Sequence, residues 1–312
     1  MRFFATGASG WIGSAVVVEL LGAGHDVVGL ARSPESAEAL RAAGVSVQLG
    51  SLDDQDVLAK AAGDSDGVIH LAFKHDLAFS GGFQEAADAD RLAVETMLGA
   101  LAGSDRPFVL ASGLLGAALG RVATESDGHD LGTVAGAGPQ ARHATAEFTL
   151  GYAEQGVRTS VVRLPPTNHG VGDNGFIASL IGIARDKGAS AYVGDGANRW
   201  PAVHRLDSAR LFRLAVESAP AGSTLHAVGE EGVPIRDVAE VIGRHLDLPL
   251  FSVSPDDAPA HFTWMANFIG LDAPASGEFT KELLNWEPTH IGLIADLDEG
   301  HYFTGTVRPF NA

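Results

Sequence analysis

Cysteine is missing from all 312 residues, and that one absence removes disulfides, thiolate nucleophiles and cysteine-based zinc sites from consideration. Basic residues are scarce. The 21 lysines and arginines stand against 39 aspartates and glutamates, a net charge of -18 with a pI near 4.9. Neither nucleic acid nor an anionic membrane surface is an expected partner, since both demand a basic face. No apolar run is long enough to span a bilayer, and Met1 to Ala5 runs straight into a first strand without the basic and apolar regions of a signal peptide. A cytoplasmic protein with no membrane partner is expected. The 12 histidines show neither H-E-x-x-H nor another compact ligand spacing, so no metal is expected. Internal repeats and low-complexity tails are also absent.

What is present is organised around Thr6-Gly7-Ala8-Ser9-Gly10-Trp11-Ile12-Gly13, set between a strand and an apolar helix carrying Ile12, Val16 and Leu20. The first glycine permits a tight turn, the second lets backbone approach a pyrophosphate, and the third lets the helix pack closely. Helix N-terminal amides would meet the phosphates. Strands at 1–5, 26–30, 45–49, 67–71, 107–111 and 158–164 alternate with helices at about 11–22, 34–43, 54–62, 83–102 and 140–155. Apolar strands separated by helices predict an α/β, doubly wound parallel sheet. Residues 1–164 form the expected dinucleotide-binding domain. Residues 165–312 form a smaller substrate-binding α/β region, with parts near 204–228 returning to the sheet. Pro165-Pro166 forces an extended path there, and the Gly- and Ala-rich segment 113–138 reads as a flexible loop over the site.

The spacing G-x-x-G-x-x-G with a preceding threonine resembles the short-chain dehydrogenase/reductase superfamily in its extended and atypical branches, the NAD(P)-dependent epimerase/dehydratase-like members. Three further segments fall in the family's order. Arg163-Leu164-Pro165-Pro166-Thr167-Asn168-His169-Gly170 is similar to R-x-x-x-V-Y-G, Val203-His204-Arg205-Leu206-Asp207 to V-H-x-x-D, and Leu284-Asn285-Trp286-Glu287-Pro288 to L-G-W-x-P. The resemblance covers nearly the whole chain. It implies a Rossmann-type fold, a small-molecule substrate and a homodimer, whose surface would come from the helix carrying Leu92, Thr96, Met97 and Leu101 with the helix near Phe148. Cofactor contacts are expected from Thr6, Gly7, Ser9, Gly10, Trp11, Ile12 and Gly13, then from Ser51 and Leu52, from Leu71, Ala72 and Phe73, and from Leu164, Pro165 and Pro166. Ser51 stands where relatives usually have aspartate. At the end of the second strand, Leu30-Ala31-Arg32-Ser33 holds no acid to bond the ribose of NAD, whereas Arg32 and Ser33 offer two donors for the 2′-phosphate of NADP. NADP is the expected cofactor.

The catalytic residues depart from the family pattern. A tyrosine, a lysine four residues later and a serine would be needed for acid catalysis beside a hydride donor. The helix that should carry Y-x-x-x-K reads Pro139-Gln140-Ala141-Arg142-His143, which puts Pro139 at the tyrosine position and His143 at the lysine position. Either Ser112 or Gly113 stands at the serine position. Ser112, His143 and His169 are the expected catalytic residues, with His143 also beside the cofactor. His204 and Tyr152 are the other proton-donor candidates, Tyr152 facing the opposite side of its helix at 100° per residue. Trp200 and Phe176 would either wall a substrate pocket or belong to the core. The expected activity is NADPH-dependent reduction of a small carbonyl or imine compound. The alternatives are an epimerase or dehydratase that uses the cofactor transiently, and a non-catalytic NADP-binding sensor.

Overall fold

A computed structural model describes residues 1–127 and 140–304. Strand and helix alternate through the first half: β1 (Arg2–Thr6), α1 (Trp11–Gly22), β2 (Asp26–Ala31), α2 (Pro34–Ala42), β3 (Ser46–Leu49), α3 (Gln55–Gly63), β4 (Gly67–His70), the one-turn α4 (His75–Leu77), α5 (Phe83–Leu101), β5 (Pro107–Gly113), α6 (Gln140–Gly151) and β6 (Arg158–Leu164). These agree with the expected elements to within two residues, except that the last predicted helix ends in a 3₁₀ turn, Tyr152–Gln155. Phe3, Phe4 and Ala5 of β1 are wholly buried, as a strand covered by helices on both faces must be. Polar ends and glycine turns punctuate the rest. Ser33 caps α2 through its side chain, with Pro34 at the first helical position.

The second half contains β7 (Thr167–His169), α7 (Phe176–Lys187), β8 (Ser190–Val193), β9 (Arg199–His204), α8 (Arg205–Ser218), β10 (Ser223–His226), β11 (Glu230–Pro234), α9 (Ile235–Leu246) and β12 (Leu250–Val253). Four short helices follow: α10 (Ala258–Phe262), α11 (Ala266–Ile269), α12 (Glu278–Leu284) and α13 (Leu293–Asp298). Pro234 sits at the N-cap position of α9, which begins at Ile235.

Seven parallel strands form the main sheet in the order β3-β2-β1-β4-β5-β6-β10. One face buries α1 and α8 residues such as Val16, Leu20, Leu211 and Phe212; the other buries Leu58, Val94, Met97, Leu98 and Leu101 of α3 and α5. Met97 and Leu101 are therefore core residues, not members of a dimer surface, while Leu92 on the same helix is exposed. The remaining core lies between α7, α9 and the small sheets β11-β9-β7 and β12-β8. Trp200 is wholly buried there, its indole N–H on the Leu271 carbonyl, with Phe176 packed against its ring at 5.7 Å. Both are core rather than pocket walls. Because β1 has β2 on one side and β4 on the other, the chain leaves it in opposite directions, and that reversal opens a crevice at the carboxyl ends of β1 and β4.

Candidate active site

The glycine loop closes β1 onto this crevice. Gly7 has φ +67°, and a Cβ there would lie 2.7 Å from the Ala72 nitrogen, so the turn and the end of β4 touch backbone to backbone. A Cβ at Gly13 would lie 2.0 Å from the Gly7 carbonyl oxygen. The third glycine thus lets α1 pack against the turn itself. Gly10 is exposed, accepts no side chain above it, and begins α1 without a side-chain cap and without an acid in the first turn. Its N–H bonds the Gly7 carbonyl at 2.9 Å. The helix N-terminus is left to an anion from outside the chain.

Thr6 works beneath this surface. Its buried Oγ1 accepts the N–H groups of Leu71 and Ala72, each at 3.2 Å, and bonds His70 Nδ1 at 2.7 Å; His70 Nε2 in turn faces Asp90 at 3.1 Å. The side chain fixes β4 to β1 and does not reach the crevice. His70 is a satisfied strand-end histidine.

A cleft of about 900 Å³ runs over the loop. Of the expected cofactor residues, Gly7, Ser9, Gly10, Trp11, Ile12, Gly13, Arg32, Ser33, Ser51, Leu52, Leu71, Ala72, Phe73 and Leu164 line it. Thr6, Pro165, Pro166 and His143 are not among its lining residues. Pro165 is buried because the chain turns at Leu164 directly into β7. At the far end Arg32 pairs with Asp76 at 3.4 Å, and Lys74 grips both oxygens of Asp53 at 2.7 Å. Ser33 is committed to Ser36 and the cap of α2, and Ser51 to the Asp54 carboxylate. α3 begins at Gln55, with Asp54 at its N-cap position.

Ser112 and Arg163 are paired positions on the parallel strands β5 and β6, and His226 on β10 pairs with Arg163 in turn. The three lie in one row on the face covered by α6. Ser112 Oγ is buried with no hydrogen-bond partner among the described residues. Arg163 Nη1 donates to the Asp127 carbonyl at 2.8 Å and lies 3.4 Å from His226 Nε2. His143 sits in the first turn of α6. Burial, then the nearby charges of Arg163 and Arg142, push its pKa down to about 4. An imidazole so placed is neutral at pH 7. Pro139 and residues 128–138 of the expected loop lie outside the described residues.

His169 is not in a site loop. It ends β7 wholly buried, with Nδ1 on Asp296 at 2.9 Å, and its ring meets His204 edge-on at 5.4 Å. Its Nε2 is buried and has no hydrogen-bond partner among the described residues. His204 caps α8 through Nδ1 and stacks on His290 at 4.6 Å. Tyr152 lies against Phe148. Among the described residues two groups have metal-like composition, His204, Asp207 and His290, and Asp296, Glu299 and His301. The Asp207 oxygens already accept the N–H groups of Thr289 and His290 and face the His290 ring, and those of Asp296 face His169 and His301.

Sequence reasoning passed over Lys74, His75, Asp76, Glu35 and Asn174, all in the cleft wall. Lys74 to Asp76 continue the segment Leu71-Ala72-Phe73 that leaves the end of β4, and that position was the available signal. It also passed over Arg142, whose guanidinium stacks 4.1 Å above Phe73 and donates to the Ala111 carbonyl.

Residues 4–228 match the NAD dependent epimerase/dehydratase family. The chain is 46% identical to an uncharacterized protein of Schizosaccharomyces pombe over 97% of this chain and 100% of that one, and 44% identical to an uncharacterized protein of Saccharomyces cerevisiae over 95% and 98%. A 4-hydroxy-2-methyl-3-oxo-4-farnesyl-3,4-dihydroquinoline-1-oxide ketoreductase of Stigmatella aurantiaca is 29% identical over 75% of this chain and 70% of its own length. A dTDP-glucose 4,6-dehydratase of Streptomyces venezuelae, solved with NAD, matches with a TM-score of 0.73 over 97% of each chain at 20% identity, a likeness of fold.

Proposed function

Since the chain belongs to the NAD dependent epimerase/dehydratase family, we propose that it is an NADPH-dependent reductase of a small carbonyl or imine compound. The observation that carries this reading is the cradle at the ends of β1 and β4, where Gly7 and Gly10 leave bare backbone and α1 lacks a cap of its own. A bound dihydronicotinamide supplies hydride. The chain's part is to hold the dinucleotide's phosphates at α1, to place the substrate against the Ser112 row, and to steady the oxygen or nitrogen that gains charge. Residues 165–312 make the substrate side in this reading.

Ser112 and neutral His143 act as hydrogen-bond donors to that atom, and the proton comes from water. His143→Ala should lower kcat by about 10²- to 10³-fold, the usual loss of one such donor, with NADPH affinity within a few-fold. A histidinium donor with a pKa of about 4 would make the rate fall about tenfold per pH unit above it. The expected profile for His143 is instead flat from pH 6 to 9. A steep decline across that range that disappears in His143→Ala would restore the cationic acid.

The preference for NADP rests on Arg32, the one guanidinium at the end of β2. Arg32→Ala should weaken NADPH by about 1.5–3 kcal/mol, the value of a charge-assisted bond or two, and NADH far less. Equal losses in a fluorescence titration would remove the preference. The homodimer remains part of the reading through exposed Leu92 and the Arg91–Phe148 stack on the outer face of α5 and α6; sedimentation velocity showing a monomer would remove it.

The missing tyrosine and lysine favour a second reading, a non-catalytic NADP-binding sensor. Purified protein incubated with NADPH and a panel of aldehydes, ketones and imines separates the two. Oxidation of NADPH above a no-enzyme control excludes the sensor.

A further inference from the structure

We propose that Asp76 is a specificity residue, competing with a 2′-phosphate for Arg32 and thereby setting the balance between the two dinucleotides; this rests on the reading of Arg32 given above. Two ion pairs cross the far end of the cleft. Each joins a residue near the end of β2 or β3 to the segment that follows β4, and all four side chains line the cleft. They differ in kind. Lys74 is mostly covered and takes both oxygens of Asp53 at 2.7 Å, a fastening that ligand would not disturb cheaply. Arg32 and Asp76 are 74% and 80% exposed and meet at 3.4 Å through a single nitrogen. Among the described residues Arg32 has no other hydrogen bond.

A guanidinium held by one long, solvated contact keeps most of its donors for a better acceptor. A phosphate dianion is that acceptor, because it matches the guanidinium fork with two parallel bonds and a larger charge. Asp76 then becomes a like charge within a few ångströms of the phosphate, in a site only partly shielded by solvent. A 2′-hydroxyl carries no charge to repel, and it can donate to a carboxylate. Arg32 therefore favours the phosphorylated dinucleotide and Asp76 opposes it. Glu35 lines the same end and is kept ionised by Ser33 and by its own backbone, but it makes no ion pair with Arg32, so it gauges how much of any effect is plain like-charge repulsion.

The test is titration of the intact protein with NADPH and NADH at low and high ionic strength, for wild type, Asp76→Asn, Glu35→Gln and Arg32→Ala. Asp76→Asn should tighten NADPH about two- to fivefold, the scale of an exposed charge interaction. It should leave NADH unchanged or slightly weaker, and the gain should shrink with salt. Glu35→Gln should tighten NADPH less than Asp76→Asn does; an equal gain would mean general charge repulsion and not competition for Arg32, and would overturn the proposal. If Arg32→Ala weakens NADPH selectively and Asp76→Asn leaves it unaltered, Asp76 is a bystander and the proposal fails alone. Equal weakening of both cofactors by Asp76→Asn would show that the pair only braces the cleft, which also overturns it. If Arg32→Ala weakens both cofactors alike, the reading of Arg32 falls and takes this proposal with it. Unchanged thermal unfolding of the variants confirms that each comparison is of folded protein.

Discussion

Gly13→Ala should abolish cofactor binding, the largest functional effect expected of any single methyl group in this chain. The added carbon would stand 2.0 Å from the Gly7 carbonyl oxygen, well inside any tolerable contact. Either α1 moves away from the turn or the turn flips, and in both cases the amides at the start of α1 no longer converge. Gly10→Val serves as its partner. A Cβ at Gly10 lies 3.1 Å from the same oxygen, so the fold can absorb it with a small shift, but the branched side chain occupies the space where backbone should meet phosphate. Calorimetric titration should therefore show no binding for both variants, with a lowered unfolding midpoint for Gly13→Ala alone. Retained affinity in Gly10→Val would show that the loop does not carry the phosphates.

The largest effect on stability is expected at Asp207. Its carboxylate is buried and receives the N–H of Thr289 at 3.0 Å, the N–H of His290 at 3.1 Å and the His290 ring at 2.9 Å, while its own carbonyl receives the Trp286 indole. One side chain thus ties α8 to a segment about eighty residues later in the chain. Asp207→Ala takes a buried charged acceptor away from the backbone N–H groups of Thr289 and His290 and from the His290 ring, and should cost about 1.5–3 kcal/mol in denaturant unfolding. Asp207→Asn keeps one oxygen and should cost less. A loss below about 1 kcal/mol for the alanine variant would mean that the 285–290 segment holds itself in place.

Asp207 also shows what the sequence could and could not disclose. Its motif was visible, and so was the L-x-W-x-P segment; that the two clasp each other was not, because nothing local links residues so far apart in the chain. The main sheet was legible for a physical reason. Strands buried on both faces must be continuously apolar, and the helices between them must carry a 3.6-residue stripe, so each element announces itself. Glycines in the phosphate loop were legible because backbone geometry leaves no substitute. Histidines were not. The residue type alone does not distinguish His169, sealed against Asp296, from His143, held neutral between two arginines, since that depends on neighbours from β6, α13 and α6. Leu92 and Met97 lie five positions apart on one helix, yet one faces water and the other the core, and only the direction of packing told them apart.

The sheet order bears on how the chain is made. Six of the seven strands are complete once β6 has left the ribosome, but the far side of β6 pairs with β10, which emerges only after β7, α7, β8, β9 and α8. During that interval β6 presents a free edge of unbonded amides and carbonyls beside the buried row of Ser112 and Arg163, and such an edge readily recruits another strand. The nascent chain is thus most exposed to mispairing during synthesis of residues 165–222, a window in which a chaperone that shields strand edges would raise the yield of folded protein.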